Sequence, residues 1–213
     1  MFGSGTIRGT VKFIGSPPPR ETIPNKPCHP DAPELKDETV VVNADGTLAN
    51  VFVYLASAPA SDGADSPAEL LDQKDCRYVP HVVGVQSGQT LRIRSSDGNG
   101  TLHNVHYAPQ KNPAANFGLT TAGAEKEVKF DQAPEFIRVK CDVHPWMTAY
   151  IGVFPSPFFA ATSEKSGSWE MGRVPAGEYK LIAWHEQYGP IEQAVTVKEN
   201  EAVDVTVTYK SPN

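Results

Sequence analysis

The sequence has few of the features that place a chain in a membrane or on a nucleic acid. No run of about 18 apolar residues occurs in its 213 residues, so we expect no transmembrane segment. Lys and Arg number 19 against 25 Asp and Glu, a net charge of −6, and this acidic balance argues against a nucleic-acid partner. The first five residues lack the basic and apolar regions of a signal peptide, so the chain is either cytosolic or given in its mature form.

Helix signals are also scarce. One segment, Pro67–Gln73, predicts a short helical turn with Ser66 as its cap. Elsewhere 19 Pro and 17 Gly separate short runs rich in Val, Ile, Phe and Tyr, a pattern typical of β-strands joined by turns. The sequence therefore predicts an all-β fold, a sandwich or a barrel, in one or two domains.

Cysteine is rare as well, with three in the chain: Cys28, Cys76 and Cys141. If Cys141 binds a metal, the other two form an even pair. A disulfide between Cys28 and Cys76 would close a long loop and stabilise the fold by about 4 kcal/mol on the chain-entropy model. Two buried free thiols are the alternative. The disulfide favours a periplasmic or otherwise exported protein, written here without its signal peptide.

The most informative stretch is a short loop with three different metal-binding side chains. It follows the strand-like run 136–140 and reads Cys-Asp-Val-His-Pro-Trp-Met over residues 141–147. The thiolate of Cys141, the imidazole of His144 and the thioether of Met147 lie at i, i+3 and i+6. Soft sulfur donors combined with an imidazole suit copper better than hard cations. A single cysteine in the loop argues against a binuclear copper site of the usual form.

Such a site needs a second imidazole, and the segment 102–106 (Leu-His-Asn-Val-His) offers two. In a strand, side chains alternate between the two faces, so His106 points to the same side as Asn104 and opposite to His103. The spacing alone leaves His103 and His106 as rival ligands.

Residues from about Cys76 to Phe154 resemble the cupredoxins, the small blue-copper electron carriers. The loop spacing is similar to that of the amicyanins. The resemblance rests on motifs that occur in the family's order: Tyr78-Val79-Pro80, Gly88-Gln89-Thr90, His103-Asn104-Val105-His106 and the loop 141–147. It implies a cupredoxin-like Greek-key β-sandwich.

The same resemblance implies one copper ion, cycling between Cu(I) and Cu(II), in a type 1 site. The implied ligands are His103, Cys141, His144 and Met147. Cys141 and the two imidazoles would form a trigonal plane, with Met147 as the weak axial donor. His106 is then structural, and Asn104 ties the strand of His103 to the ligand loop.

The function implied is that of a one-electron carrier between redox partner proteins, for example a cytochrome or another copper protein. Protein side chains fill all the ligand positions, so we expect no enzyme activity. Electrons would pass at the edge of His144, beside Pro145 and Trp146, although Trp146 could instead be a packing anchor for the loop. The alternatives are a copper storage or carrier protein and an adhesion or scaffold module with a structural copper site.

The C-terminal part resembles another family. Residues Phe158 to Tyr209 are similar to the transthyretin-like regulatory domains attached to some carboxypeptidases, on the motifs Ser168-Trp169-Glu170, Val174–Tyr179 and Ala183-Trp184-His185. We therefore expect N-terminal strands in 1–57 that are shared with the C-terminal subdomain, a copper domain in 58–156 and a transthyretin-like β domain in 157–213.

Two histidines remain outside this scheme. We interpret His81 as structural, with a role in supporting the metal ligands or as a second metal ligand as its alternatives. His29, beside Cys28, could form a further site with Cys76, but the disulfide accounts for both cysteines with fewer assumptions.

Overall fold

The computed structural model describes residues 3–24, 28, 34–97 and 101–211. Within these ranges the chain forms 18 strands and no helix, so the predicted all-β fold is confirmed. The same ranges contain no helix long and apolar enough to cross a membrane. The strands are β1 (Ser4–Ile14), β2 (Thr22–Ile23), β3 (Leu35–Lys36), β4 (Phe52–Leu55), β5 (Glu69–Lys74), β6 (Arg77–Val79), β7 (Val82–Gln86), β8 (Leu91–Ser95), β9 (His103–Tyr107), β10 (Ala115–Leu119), β11 (Glu125–Val128), β12 (Glu135–Lys140), β13 (Thr148–Phe154), β14 (Phe159–Ala161), β15 (Ser168–Pro175), β16 (Gly177–His185), β17 (Gly189–Val197) and β18 (Ala202–Lys210).

The chain forms two compact units that are interleaved along the sequence. Unit 1 comprises Met1–Arg20, Glu38–Ala60 and Phe158–Asn213, and unit 2 comprises Glu21–Asp37 and Ser61–Pro157. The domain boundaries drawn from the sequence stay predictions. The segment 21–37, which the sequence grouped with the N-terminal strands, lies in unit 2.

Unit 1 is built from a three-stranded sheet, β15-β1-β18, and a four-stranded sheet, β14-β4-β16-β17. In β1, Ile7, Val11 and Phe13 are buried while Lys12 and Ile14 are exposed, which is the alternation expected of a half-buried strand. Gly9 has a specific role in this strand, because a Cβ there would collide with the Val205 backbone and the ring of Trp169. Apolar side chains from both sheets form one core.

Unit 2 is built from a five-stranded sheet, β10-β9-β12-β13-β7, a four-stranded sheet, β11-β8-β5-β6, and the small hairpin β2-β3. Both larger sheets contribute side chains to a single core, including Leu71, Ile93, Val105 and Ile151, so this unit is a β-sandwich. The neighbouring positions of β9 and β12 matter for function. Lys140 pairs with His106, so the strand that leads into residues 141–147 runs beside the strand of His103.

One expectation from the sequence was wrong. The segment 67–73 forms no helical turn, because Glu69–Lys74 is strand β5. It pairs in parallel with β8, from Glu69 opposite Leu91 to Gln73 opposite Ser95. Leu71 is fully buried in the core of unit 2, and this long-range pairing overrides a weak local helix signal.

The disulfide between Cys28 and Cys76 is present, with the two Cα atoms 6.2 Å apart. It joins Cys28, from the first segment of unit 2, to the tight turn between β5 and β6. The two cysteines pack with Leu35 as a small apolar cluster, and the ring of Trp146 lies against it.

Candidate metal centre

His103, the first residue of β9, has its imidazole ring inside unit 2. His103, Val105 and Tyr107 are buried, whereas Asn104 and His106 lie on the outer face. His103 is completely inaccessible to solvent. His106 instead directs its Nδ1 to the Asp142 carboxylate, with Nδ1 2.9 Å from Oδ2. The alternation of the strand therefore separates the two rival histidines, and His103 is the one that faces inward.

The loop between β12 and β13 brings the remaining three donors to the interior. Its backbone is closed by two hydrogen bonds: the Cys141 N–H donates to the Met147 carbonyl at 3.0 Å, and the Met147 N–H donates to the His144 carbonyl at 2.9 Å. These contacts curl the loop so that all three side chains point inward. Cys141 is 1% exposed, His144 is 8% exposed and Met147 is fully buried.

The donor atoms of these residues converge. The Nδ1 atoms of His103 and His144 are 3.1 Å apart, and the Cys141 Sγ is 3.8 Å from the His144 Nδ1. Met147 belongs to the same buried cluster as Cys141. The Cys141 thiol and the His144 imidazole of the loop thus meet the imidazole of His103 from β9, and the side chain of Met147 is buried in the same core.

A second sulfur lies close to the two imidazoles. Cys28, His103 and His144 each have a possible donor atom within 4.8 Å of the others. The Cys28 sulfur is bonded to Cys76, however, so it has no thiolate to offer, and Cys141 is the one free cysteine of the chain. Cys141 is therefore the cysteine that could supply a thiolate, and the disulfide lies beside the two imidazoles.

A residue that the sequence analysis missed completes the surroundings of His103. Asp97 is buried, and its Oδ2 lies 3.0 Å from the His103 Nε2. The same carboxylate accepts the Asp75 N–H at 2.7 Å and the Cys76 N–H at 2.8 Å. The local pattern gave no signal, since an aspartate after a strand is an ordinary turn residue.

Asn104 links the two parts of the site, as predicted. Its Oδ1 accepts the Asp142 N–H at 2.7 Å, and its Nδ2 donates to the Asp142 Oδ2 at 2.8 Å. Asp142 follows Cys141 directly, so this pair fixes the position of the thiol relative to β9.

The ionisation of these groups follows from burial and from their contacts. Burial by itself lowers the pKa of His103, but hydrogen bonds to Asp97 and Cys141 outweigh it and raise the pKa to about 9. Burial raises the pKa of the Cys141 thiol, yet a hydrogen bond from His103 and contacts from backbone N–H groups leave that pKa below its usual value. Burial and the charge of His103 lower the pKa of His144. These shifts favour the thiolate of Cys141 and the neutral imidazole of His144, the forms that bind metals, whereas His103 would release a proton when it binds one.

Trp146 is a packing anchor in this structure. Its Nε1–H donates to the Cys76 carbonyl at 3.0 Å, and its ring packs on the disulfide cluster, 5.2 Å from the ring of His144. The exposed apolar residues near the site are Leu102 and Val143, each 48% exposed, which directly precede His103 and His144.

His81 is a further buried histidine of unit 2. His81 is 2% exposed, packs edge-on against the ring of Tyr150 at 6.3 Å, and its carbonyl accepts the Tyr150 N–H. This environment fits the structural interpretation. His29 lies outside the described residues.

Comparisons with known proteins give matches to solved structures alone. No protein-family model matches the chain. No curated protein matches it either. A Cu-containing nitrite reductase from Thermus scotoductus SA-01 is 18% identical, with a TM-score of 0.37, over 46% of this chain and 25% of the reductase. The chain therefore spans about a quarter of that enzyme's length. A Cu(I) amicyanin variant is 18% identical, with a TM-score of 0.35, over 47% of this chain and 97% of amicyanin. An oxidized amicyanin variant gives 19% identity and a TM-score of 0.36 over the same shares.

Proposed function

We propose that the chain is a type 1 copper protein that carries single electrons between redox partner proteins. The proposed ligands are His103, Cys141, His144 and Met147. The closeness of one free buried thiol to two imidazoles supports this most directly. The Nδ1 atoms of His103 and His144 are 3.1 Å apart, and the Cys141 Sγ lies 3.8 Å from the His144 Nδ1.

The donor set fits copper in chemistry and in spacing. Bonds of about 2.0 Å to nitrogen and about 2.3 Å to sulfur require donor atoms that lie about 3–4 Å apart, and both measured separations fall in this range. Two imidazoles and one thiolate, with a thioether nearby, form the set typical of a blue-copper centre. Copper bound there would alternate between Cu(I) and Cu(II) and so exchange one electron.

The protein's own residues would keep the donors in one geometry. Asp97 holds His103 through Nε2 and leaves Nδ1 to face the site. Asn104 holds the loop next to Cys141, and two backbone hydrogen bonds within the loop fix His144 relative to Met147. A site that needs little rearrangement between oxidation states suits electron transfer. With four protein donors, no position is left for a substrate, which supports a carrier over an enzyme.

We further propose a transient protein partner that approaches at His144. This ring is 8% exposed and lies between the exposed residues Val143 and Pro145. A small apolar surface of this kind suits short-lived contact between redox proteins. The disulfide supports an exported location, such as the periplasm, where disulfides persist. The assignment of residues 157–213 as a transthyretin-like domain stays a proposal based on their sequence motifs.

Copper loading of two matched variants tests the site. We expect the native protein to bind one copper with intense visible absorption and the electron-paramagnetic-resonance spectrum of a type 1 centre. His103→Ala removes the inward ring and should abolish both signals. His106→Ala, three residues further along the same strand and on its outer face, should keep both signals.

The opposite result would contradict the ligand assignment, because loss of colour in His106→Ala alone would make His106 the ligand. A native protein that binds copper without colour and releases it quickly would support the storage or carrier alternative. A coloured site that shows no reversible redox wave would support a scaffold with a structural copper.

A further inference from the structure

We propose that Asp97 is a positioning residue that sets the reduction potential of the copper site, holding His103 by Nε2 and placing a buried negative charge behind it. The inference rests on the proposed copper function. It concerns a residue outside the four ligands, and the contacts of its carboxylate support it.

The first contact fixes His103. With Nε2 3.0 Å from the Asp97 Oδ2, the proton of a neutral ring resides on Nε2 and the lone pair on Nδ1. That lone pair faces the His144 Nδ1 and the interior of the site. A carboxylate behind a metal-binding histidine fixes its tautomer and ring orientation, and raises its basicity as a ligand.

The second set of contacts shows that the protein is built to hold a charge at Asp97. Its two oxygens accept the N–H groups of Asp75 and Cys76, which are successive residues of the turn between β5 and β6. Both residues have positive φ angles, 55° and 62°, which are unfavourable for side chains with a Cβ. Two N–H groups that converge from such a turn form an anion-binding concavity.

The disulfide holds that turn in place. Cys76 is completely buried and bonded to Cys28, and its carbonyl accepts the Nε1–H of Trp146 from the ligand loop. The turn that binds the Asp97 carboxylate is therefore attached to the copper loop at a second point. A strained turn with this many restraints indicates a position under functional constraint.

The electrostatic consequence follows from the charges. Cu(II) carries one more positive charge than Cu(I), so a buried carboxylate behind His103 stabilises the oxidised state more. We expect Asp97→Asn, which keeps the shape and removes the charge, to shift the equilibrium toward Cu(I) by tenfold or more. For a one-electron couple, tenfold corresponds to a rise of about 59 mV in the reduction potential.

Asp72→Asn is the matched control. Asp72 is also a buried carboxylate of unit 2, 6% exposed, and it likewise accepts a backbone N–H, that of Ser96, at 3.1 Å. Its other partners are the Ser96 hydroxyl and the Arg94 guanidinium, each at 2.7 Å, and neither is a proposed ligand. Both substitutions remove one negative charge from the same unit. Asp72→Asn should change the Cu(II) to Cu(I) equilibrium by no more than about twofold relative to the native protein.

The experiment is voltammetry of the copper-loaded full chain, with the visible spectrum recorded for each variant. A coloured Asp97→Asn protein with the potential of the control would overturn the inference while leaving the copper proposal intact. A native protein without a blue Cu(II) band would contradict the copper proposal itself.

A measurement on the native protein covers the case in which Asp97→Asn fails to fold. In nuclear magnetic resonance spectra of the Cu(I)-loaded native protein, we expect the His103 Nε2–H proton to resonate far downfield and to exchange slowly with water, because it is buried and bound to a carboxylate. Fast exchange of this proton, or its assignment to Nδ1, would refute the role of Asp97.

Discussion

Among the described residues, each unit contains one completely buried histidine, and the two have very different surroundings. In unit 1, the ring of His185 stacks on that of Tyr188 at 5.0 Å and lies 5.9 Å from that of Tyr209, while its Nδ1 accepts the Gln187 N–H. In unit 2, His103 faces an imidazole, a thiol and a carboxylate. Burial alone therefore does not make a histidine a candidate metal ligand; the donor atoms of its neighbours do.

The carboxylates of the two units also differ in burial and in their hydrogen-bond partners. In unit 1, Arg8 pairs with Asp204 at the surface, with side chains 55% and 73% exposed, an arrangement that contributes little to stability. In unit 2, Asp97 and Asp72 are buried and satisfied by backbone N–H groups and side chains. Burying a carboxylate is costly unless it is hydrogen-bonded, so such groups point to sites with a specific task.

The largest expected effect tests the contrast between the surroundings of His103 and those of His185. Cys141→Ser should abolish the intense Cu(II) absorption, because the thiolate is the source of it, while the circular dichroism of the strands stays native. His185→Phe is the control in unit 1 and should keep both copper and colour. If Cys141→Ser unfolds the apo protein, the residue has a structural role; if the colour persists, another sulfur is the ligand.

Removal of the disulfide should destabilise unit 2 selectively. For a cross-link between residues 48 apart in sequence, the double variant Cys28→Ser/Cys76→Ser should lose about 4 kcal/mol of unfolding free energy on the chain-entropy model. Amide hydrogen exchange is the measurement, since exchange should accelerate in β5, β6 and β8 and stay unchanged in β16 and β17. Equal acceleration of exchange in both units would show that the disulfide does not stabilise unit 2 selectively.

Substitution of Met147 should have a smaller effect, a change in the reduction potential of the proposed copper site. Met147→Gln should keep the copper and lower the reduction potential, because a harder axial donor favours Cu(II). We expect a shift of roughly tenfold in the Cu(II) to Cu(I) equilibrium, or about 59 mV, measured by voltammetry. An unchanged potential would argue against Met147 as the axial ligand, and a Met171→Gln variant in the core of unit 1 controls for unspecific effects of the substitution.

The smallest effect concerns acid stability in unit 2. Glu135 accepts the N–H groups of Gln110 and Lys111 and the amide of Asn112. Burial raises its pKa, but these hydrogen bonds leave the pKa below the ordinary value. A lowered folded-state pKa means that the carboxylate stabilises the protein above its unfolded pKa and that this contribution is lost as the pH falls through the folded value.

Glu135→Gln should therefore lower the unfolding free energy near neutral pH by about 0.5 kcal/mol. The difference from the native protein should shrink as the pH falls below about 4. Urea unfolding at several pH values measures it. A difference that does not change with pH would show that the charge of Glu135 has no part in it. Asp45→Asn in unit 1, where Thr47 lowers the pKa of the carboxyl, is the matched comparison.

The sequence by itself determined the features that depend on short-range order. Three donor types within seven residues identify the loop, strand alternation places His103 and His106 on opposite faces, and the frequent turns indicate an all-β chain. For Cys28 and Cys76 the sequence favoured a disulfide over two free thiols, and the structure contains that disulfide.

The tertiary structure alone decided what depends on residues distant along the chain. It made 69–74 a strand through pairing with β8, placed segment 21–37 in unit 2, and anchored Trp146 on the disulfide. Above all, it brought Asp97 to His103. An aspartate in a turn looks the same in sequence whether its carboxylate meets water or a buried imidazole, because its partners are chosen by the packing of the two sheets and not by its neighbours in the chain.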